Sequence, residues 1–177
     1  MVGLLFKHPR PALAAFISSF QRLIIMDPKL FAQLCAEASK TLTLKDTTAL
    51  GLGQPITIHG VDIELMMKTS FPAGVQLILE VGAPEPKARQ AVYEALLAQQ
   101  MLWMGDLNGL FCYDASHDRV LFSVGMPTDA NTKGEQLAKS IQGFADLVLS
   151  WRSGLLKGLL DPDWFLQDAM LDKTAHA

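Results

Sequence analysis

Between residues 56 and 81 the apolar side chains fall on every second position: Ile56 and Ile58, then Val61, Ile63, Leu65 and Met67, then Val75, Leu77, Leu79 and Val81. Successive side chains of an extended strand point to opposite faces. The alternation therefore predicts half-buried antiparallel strands, with Asp62, Glu64, Met66 and Lys68, and likewise Gln76, Ile78 and Glu80, on the solvent face. His59-Gly60 reads as the turn between the first two strands. Two more strands, Leu110 to Tyr113 and Val120 to Val124, flank the turn Asp114-Ala115-Ser116-His117-Asp118.

On either side of these strands the apolar period becomes that of a helix. Asp27-Pro28 reads as an N-cap with proline at the first helical position, opening a helix whose stripe is Leu30, Phe31, Leu34, Cys35 and Ala38. Pro84 and Pro86 precede a second helix from about Lys87 to Trp103, with Val92, Ala95, Leu96, Gln99 and Leu102 on one side and Leu97 and Met101 on the other. A last long helix over about 131–156 carries Leu137, Ile141, Phe144, Val148, Trp151 and Leu155 at alternating spacings of four and three. The expected fold is α+β, a small twisted antiparallel sheet of five strands flanked by helices in the order α-β-β-β-α-β-β-α. Residues 28–156 form its main unit. An amphipathic N-terminal extension, 1–27, with Leu13, Phe16, Ile17, Phe20 and Ile24 at helical spacing, and an appendix, 157–177, with Trp164, Phe165 and Leu166, add helical segments at the two ends.

Composition narrows the function classes. The 177 residues are 50% hydrophobic and only 19% charged, too apolar for a disordered tail. A net charge of −3 lacks the basic excess that a general nucleic-acid or anionic-membrane binder uses to displace counterions. A mean hydropathy of +0.22 points to apolar surface that a partner covers. The apolar run Leu13 to Phe20 stops at Gln21-Arg22, short of a bilayer span, and a small-residue cleavage site is missing there. The expectation is a cytoplasmic protein without a membrane span, in which Cys35 and Cys112, embedded in apolar patterns without CxxC spacing, are buried free thiols.

The residues of catalytic chemistry are present without its arrangements. Ser116, His117 and Asp118 are consecutive in a turn, where side chains are expected to diverge rather than align as nucleophile, base and orienting acid. The four histidines have no ligand spacing for zinc. Gly51-Leu52-Gly53 precedes Pro55 and a strand instead of the helix N-terminus that a phosphate cradle needs. Asp161 and Asp163 fit a helix start better than a calcium loop, because Trp164, Phe165 and Leu166 stand where glycine and oxygen ligands belong. Asp62 and Glu64 share a strand face with no neighbour to separate their pKa values, and Trp151-Arg152 reads as a core tryptophan rather than an aromatic-cation site. No catalytic, metal or cofactor residue is assigned on this reading.

Three stretches carry a family resemblance. Val75-Gln76-Leu77-Ile78-Leu79-Glu80-Val81-Gly82 is followed, after a proline loop, by a helix with Ala95-Leu96-Leu97. Gly109-Leu110-Phe111-Cys112-Tyr113-Asp114 and Val120 to Val124 with Gly125-Met126-Pro127 form a glycine-led strand, a charged turn and a strand ending in an apolar-proline step. The last helix carries Phe144 and Trp151-Arg152. In this order they resemble the class I type III secretion chaperones of the Tir-chaperone family, over roughly residues 28–156. The chain departs from that pattern after the second helix, where Gln99-Gln100 and Met104-Gly105-Asp106 replace an Ala-Asn before glycine.

The resemblance implies an ATP-independent chaperone, a homodimer without cofactor, that holds a non-globular segment of a secreted virulence effector for the secretion apparatus. It implies dimerisation through the second helix and fourth strand, hence Leu97, Met101, Leu110, Phe111, Cys112 and Tyr113. For the effector, the expected contacts are Leu30, Phe31 and Leu34 of the first helix together with Met66 and Ile78, the two apolar residues on the polar strand faces. A dimeric adaptor that binds a folded partner would share the apolar surface. An enzyme would require a pocket with convergent polar groups.

Overall fold

The computed structural model describes residues 26–69, 73–103, 109–129 and 131–159; the N-terminal stripe and the aromatic appendix lie outside them. The elements are α1 (Pro28–Thr41), β1 (Ile56–Ile58), β2 (Val61–Lys68), β3 (Gly74–Gly82), α2 (Arg89–Trp103), β4 (Gly109–Asp114), β5 (Arg119–Pro127) and α3 (Gly134–Ser153), with short 3-10 turns at Leu50–Leu52 and Leu155–Lys157. The expected α+β order is thus observed.

Local chemistry starts each element where the sequence indicates. Asp27, extended at φ −68° and ψ 129°, accepts a hydrogen bond from the Lys29 amide at 2.9 Å, and Pro28 follows at the first helical position. Ile58 opposite Val61 leaves only His59-Gly60, both at positive φ, to close the β1–β2 hairpin. At the start of α3 the Gln136 side-chain oxygen accepts from the Lys133 amide at 2.8 Å.

All strand pairs are antiparallel, in the order β1-β2-β3-β5-β4. β5 is inserted between β3 and β4, so the chain leaves the sheet centre after β3, runs through α2 and returns at the edge. Val61, Ile63, Leu65, Val75, Leu77, Leu79, Val81, Val120, Phe122 and Val124 form one buried face. α3 covers it with Leu137, Ile141, Val148 and Trp151, and α1 packs on α3 with Phe31, Leu34, Cys35 and Ala38. Phe111, Phe122 and Trp151 meet there as an aromatic trio with ring centroids 4.9 to 5.1 Å apart.

Arg152 ties the layers together. A bulge between Glu80 and Gly82, with Gly82 at φ 109°, interrupts the β3–β5 ladder beside the carbonyls that face the end of α3. Arg152 at the end of α3 takes them up: Nε donates to the Val81 carbonyl at 2.9 Å and one terminal nitrogen to the Glu80 carbonyl at 2.7 Å. The other reaches the Gly60 carbonyl in the β1–β2 turn at 2.7 Å. Arg152→Met, which keeps the aliphatic stem and removes the donors, is expected to cost about 2 to 3 kcal/mol of stability by urea denaturation, because carbonyls half-shielded from water lose charge-assisted bonds.

Candidate interaction surfaces

The first surface lies along α2 and the edge strand β4. Val92, Leu96 and Gln99 are buried, and that phase of the helix sends Leu97 and Met101, one turn apart, outward at 69% and 78% exposure. Gln100, between them, accepts the Phe111 amide through Oε1 at 2.9 Å, so this part of α2 runs beside β4. The bond also occupies an amide on the free edge of the sheet, which blunts addition of a further strand there. On β4, Leu110 and Tyr113 are each 52% exposed and Cys112 is exposed as well. The burial expected for both thiols therefore holds only for Cys35, whose pKa desolvation pushes up to about 12.

The four β4 residues assigned to a dimer contact do not share one face. Phe111 pairs with Phe122 and its ring packs on Trp151, half-buried against the core, because the register puts 109, 111 and 113 on the helix-covered side. Leu110 and Cys112 point to the opposite side, opposite Ser123 and Leu121. Tyr113 sits at the margin, edge-on to Tyr93 at 5.6 Å, and its hydroxyl donates to Asp118, which also receives Arg89, both at 2.8 Å. Of the residues expected at a dimer contact, Leu97, Met101, Leu110, Cys112 and Tyr113 are exposed, with Phe111 packed behind β4.

The second surface is the sheet face turned away from the helices. Met66, 45% exposed, lies diagonal to the half-buried Ile78, because Met66 pairs with Gln76 and Ile78 with Glu64. Ile78 in turn is diagonal to Leu121, and Leu121 lies opposite Cys112. Apolar positions thus run obliquely across four strands. On one flank Gln76 donates to the Ser123 hydroxyl at 2.7 Å; on the other Arg119 bridges Glu80 and Asp114. Sequence reasoning does not single out Leu121, though the two-residue period of β5 already puts it on the face of Ser123.

The first helix does not join this surface. Phe31 is 7% exposed and directed into the core, and Leu34 is 3% exposed. With α1 packed on α3, the sheet stands between its residues and Met66 with Ile78, so the five side chains expected to form one groove are divided between two sides. Leu30, Gln33, Leu34 and Glu37 line instead a separate concavity of about 400 Å³, walled by residues 131–133.

The β4–β5 turn holds the densest polar cluster. Ser116 and His117 do touch, contrary to the expectation from their adjacency, and their third partner is Asp114 rather than Asp118. Ser116 Oγ lies 2.9 Å and Asp114 Oδ2 2.7 Å from the same ring nitrogen, His117 Nδ1. A relay requires the carboxylate and the hydroxyl on different ring nitrogens, so this exposed arrangement closes a turn without activating the serine. Bonds from Ser116, His117 and Arg119 hold the Asp114 carboxyl well below the usual carboxylate range. Asp62 accepts from Thr57 at 2.6 Å across the β1–β2 hairpin. Among the described residues no group of histidine, cysteine and carboxylate side chains is placed to hold a metal, and no helix is long and apolar enough to cross a membrane.

Fold and surfaces together define an α+β protein with one sheet face covered by helices and with apolar side chains left outside on α2, β4 and the open face. Compared with known protein families, curated proteins and solved structures, the chain matches none.

Proposed function

We propose that this protein is an ATP-independent chaperone of the class I type III secretion kind, a cytoplasmic homodimer that keeps an extended segment of a secreted effector from folding. One observation carries the reading: the α-β-β-β-α-β-β-α order leaves large apolar side chains exposed along α2 with β4, and an oblique row on the open sheet face of the exposed Met66 with the half-buried Ile78 and Leu121. In the proposal the α2–β4 surface meets a second copy about a two-fold axis. The effector segment lies across Met66, Ile78 and Leu121.

The energetics favour an extended partner with several anchors. Each large side chain buried contributes roughly 1.5–3 kcal/mol, and ordering a flexible segment costs roughly 2–5 kcal/mol, so a single anchor is insufficient. The oblique row offers apolar contacts on adjacent strands at about the spacing of alternate residues in an extended chain.

Two measurements test this. Deleting the gene in a secreting host is expected to remove one or a few proteins from the secreted fraction and leave the rest; an unchanged secreted fraction overturns the proposal. With an affected protein in hand, calorimetry of its chaperone-bound segment against the double substitution Met66→Glu with Ile78→Glu is expected to show binding at least tenfold weaker at unchanged oligomer mass. Unaltered affinity would remove the open sheet face from the site.

A further inference from the structure

We infer that the open sheet face selects its ligand by charge: the extended segment it binds carries lysine or arginine between its apolar anchors, because the apolar row has an acidic margin along one side only. The site is the one assigned to the effector above, so this ligand chemistry rests on that reading.

The register lays carboxylates beside the row. Ile78 stands opposite Glu64 on β2, and Leu121 stands opposite Glu80 on β3, which brings each apolar Cβ within about 5 Å of an acidic residue's Cβ. Asp62, two residues before Glu64, and Asp114, two residues after Cys112, share this face and extend the margin at its two ends. Arg119 lies on the same flank and already bridges Glu80 and Asp114, so one guanidinium stands among four carboxylates. Asp62 and Glu64 are exposed, and among the described residues neither pairs with a cation.

The other flank lacks acids. Gln76 donates to Ser123 there, and Lys68 Nζ lies 3.4 Å from where a Cβ on Gly125 would stand. Four residues along a strand span about 13 Å, and the Lys68 side chain is turned toward β5, so it leaves Glu64 uncompensated. The apolar row is therefore the border between an acidic half of the face and a half that is neutral to basic.

Such a border discriminates between ligands of equal hydropathy. Apolar anchors at alternate residues reach the row, and the residues between them stand over its margins. A lysine or arginine in that place lays its methylene stem across the apolar side chains and holds its charge near the carboxylates. A glutamate there meets like charge. The margin is open to water, so the selection is expected to fade as salt screens it.

Two synthetic peptides test this against the full chain. Both carry leucine at alternate positions; the positions between are lysine and serine in one and glutamate and serine in the other, and binding is read by fluorescence anisotropy of the labelled peptides. The lysine peptide is expected to bind at least tenfold tighter. Its advantage is expected to shrink to about threefold or less between about 0.1 M and about 1 M salt, as the screening length falls from about 10 Å to about 3 Å. Asp62→Lys with Glu64→Lys, at two exposed positions, is expected to reverse the order of the peptides at unchanged dichroism and unchanged mass by light scattering. Met66→Ser with Ile78→Ser is expected to weaken the lysine peptide about tenfold through loss of the anchors. Equal affinities for two peptides that both depend on Met66 and Ile78 overturn the charge selection and leave the chaperone site standing. Binding that ignores the serine variant overturns the inference and removes the open face from the chaperone site as well. Failure of both peptides to bind, or a lysine variant whose mass changes because a second copy covers the face, also overturns the inference.

Discussion

Leu97→Asp is expected to halve the mass measured by light scattering at micromolar concentration, from about twice 19.4 kDa to 19.4 kDa, while the far-UV dichroism stays that of the parent. Leu97 is 69% exposed on a helix whose packing is carried by Val92 and Leu96, so a carboxylate at 97 remains solvated in a lone subunit. In a two-fold contact through α2 the same carboxylate would be desolvated on both subunits, and an unpaired buried charge costs several kcal/mol on each side. Phe111→Asp provides the contrast. It places a charge between Phe122 and Trp151 and is expected to unfold the subunit rather than separate two intact ones. A parent protein that already scatters as 19.4 kDa would sink the dimer.

Gly134→Val is expected to destabilise the protein by about 3 kcal/mol, read from the urea midpoint at unchanged slope. At this position α3 begins against α1 so closely that a Cβ would sit 2.3 Å from the Glu37 Cβ and 2.6 Å from the Ala38 backbone nitrogen. The second of these is main chain within a helix and has no rotamer to move to. Relief requires α1 to shift away from α3, which opens the contact among Leu34, Ala38, Leu137 and Ile141. It also lengthens the 3.4 Å approach of the Gly134 amide to the Glu37 carboxylate, a favourable charge at a helix N-terminus. Gly143→Ala is the matched control: no atom lies within 4 Å of a Cβ added there, and alanine in a helix interior is expected to be neutral or slightly stabilising.

The outlook of the two interaction surfaces differs in the same terms. The α2–β4 surface is rigidly held, since Gln100, the Tyr93–Tyr113 pair and the Arg89–Asp118 ion pair all fasten the helix to the hairpin. A second copy can meet it with little reordering. The open sheet face presents single side chains in a row, and Met66, unbranched and polarisable, adapts to partners of different shape.

Much of the architecture was legible because periodicity is local. Alternation over 56–58, 61–67 and 75–81 assigns faces as well as strands, and the phase of Val92 and Leu96 already sends Leu97 and Met101 outward. Asp27-Pro28 marks the start of α1 by side-chain chemistry within two residues. What only the tertiary structure decided depends on contacts between distant segments. The insertion of β5 between β3 and β4 follows from long-range pairing, and it alone places Leu121 beside Ile78 and turns Phe111 inward while Leu110 and Cys112 face out. The packing of α1 on α3 separates Leu30, Phe31 and Leu34 from Met66 and Ile78 by the full thickness of the sheet, a division no local pattern encodes. Arg152 reads in sequence as the polar neighbour of a core tryptophan; it becomes a three-carbonyl clamp only because the fold brings the β3 bulge and the β1–β2 turn, some seventy and ninety residues earlier, to the end of α3.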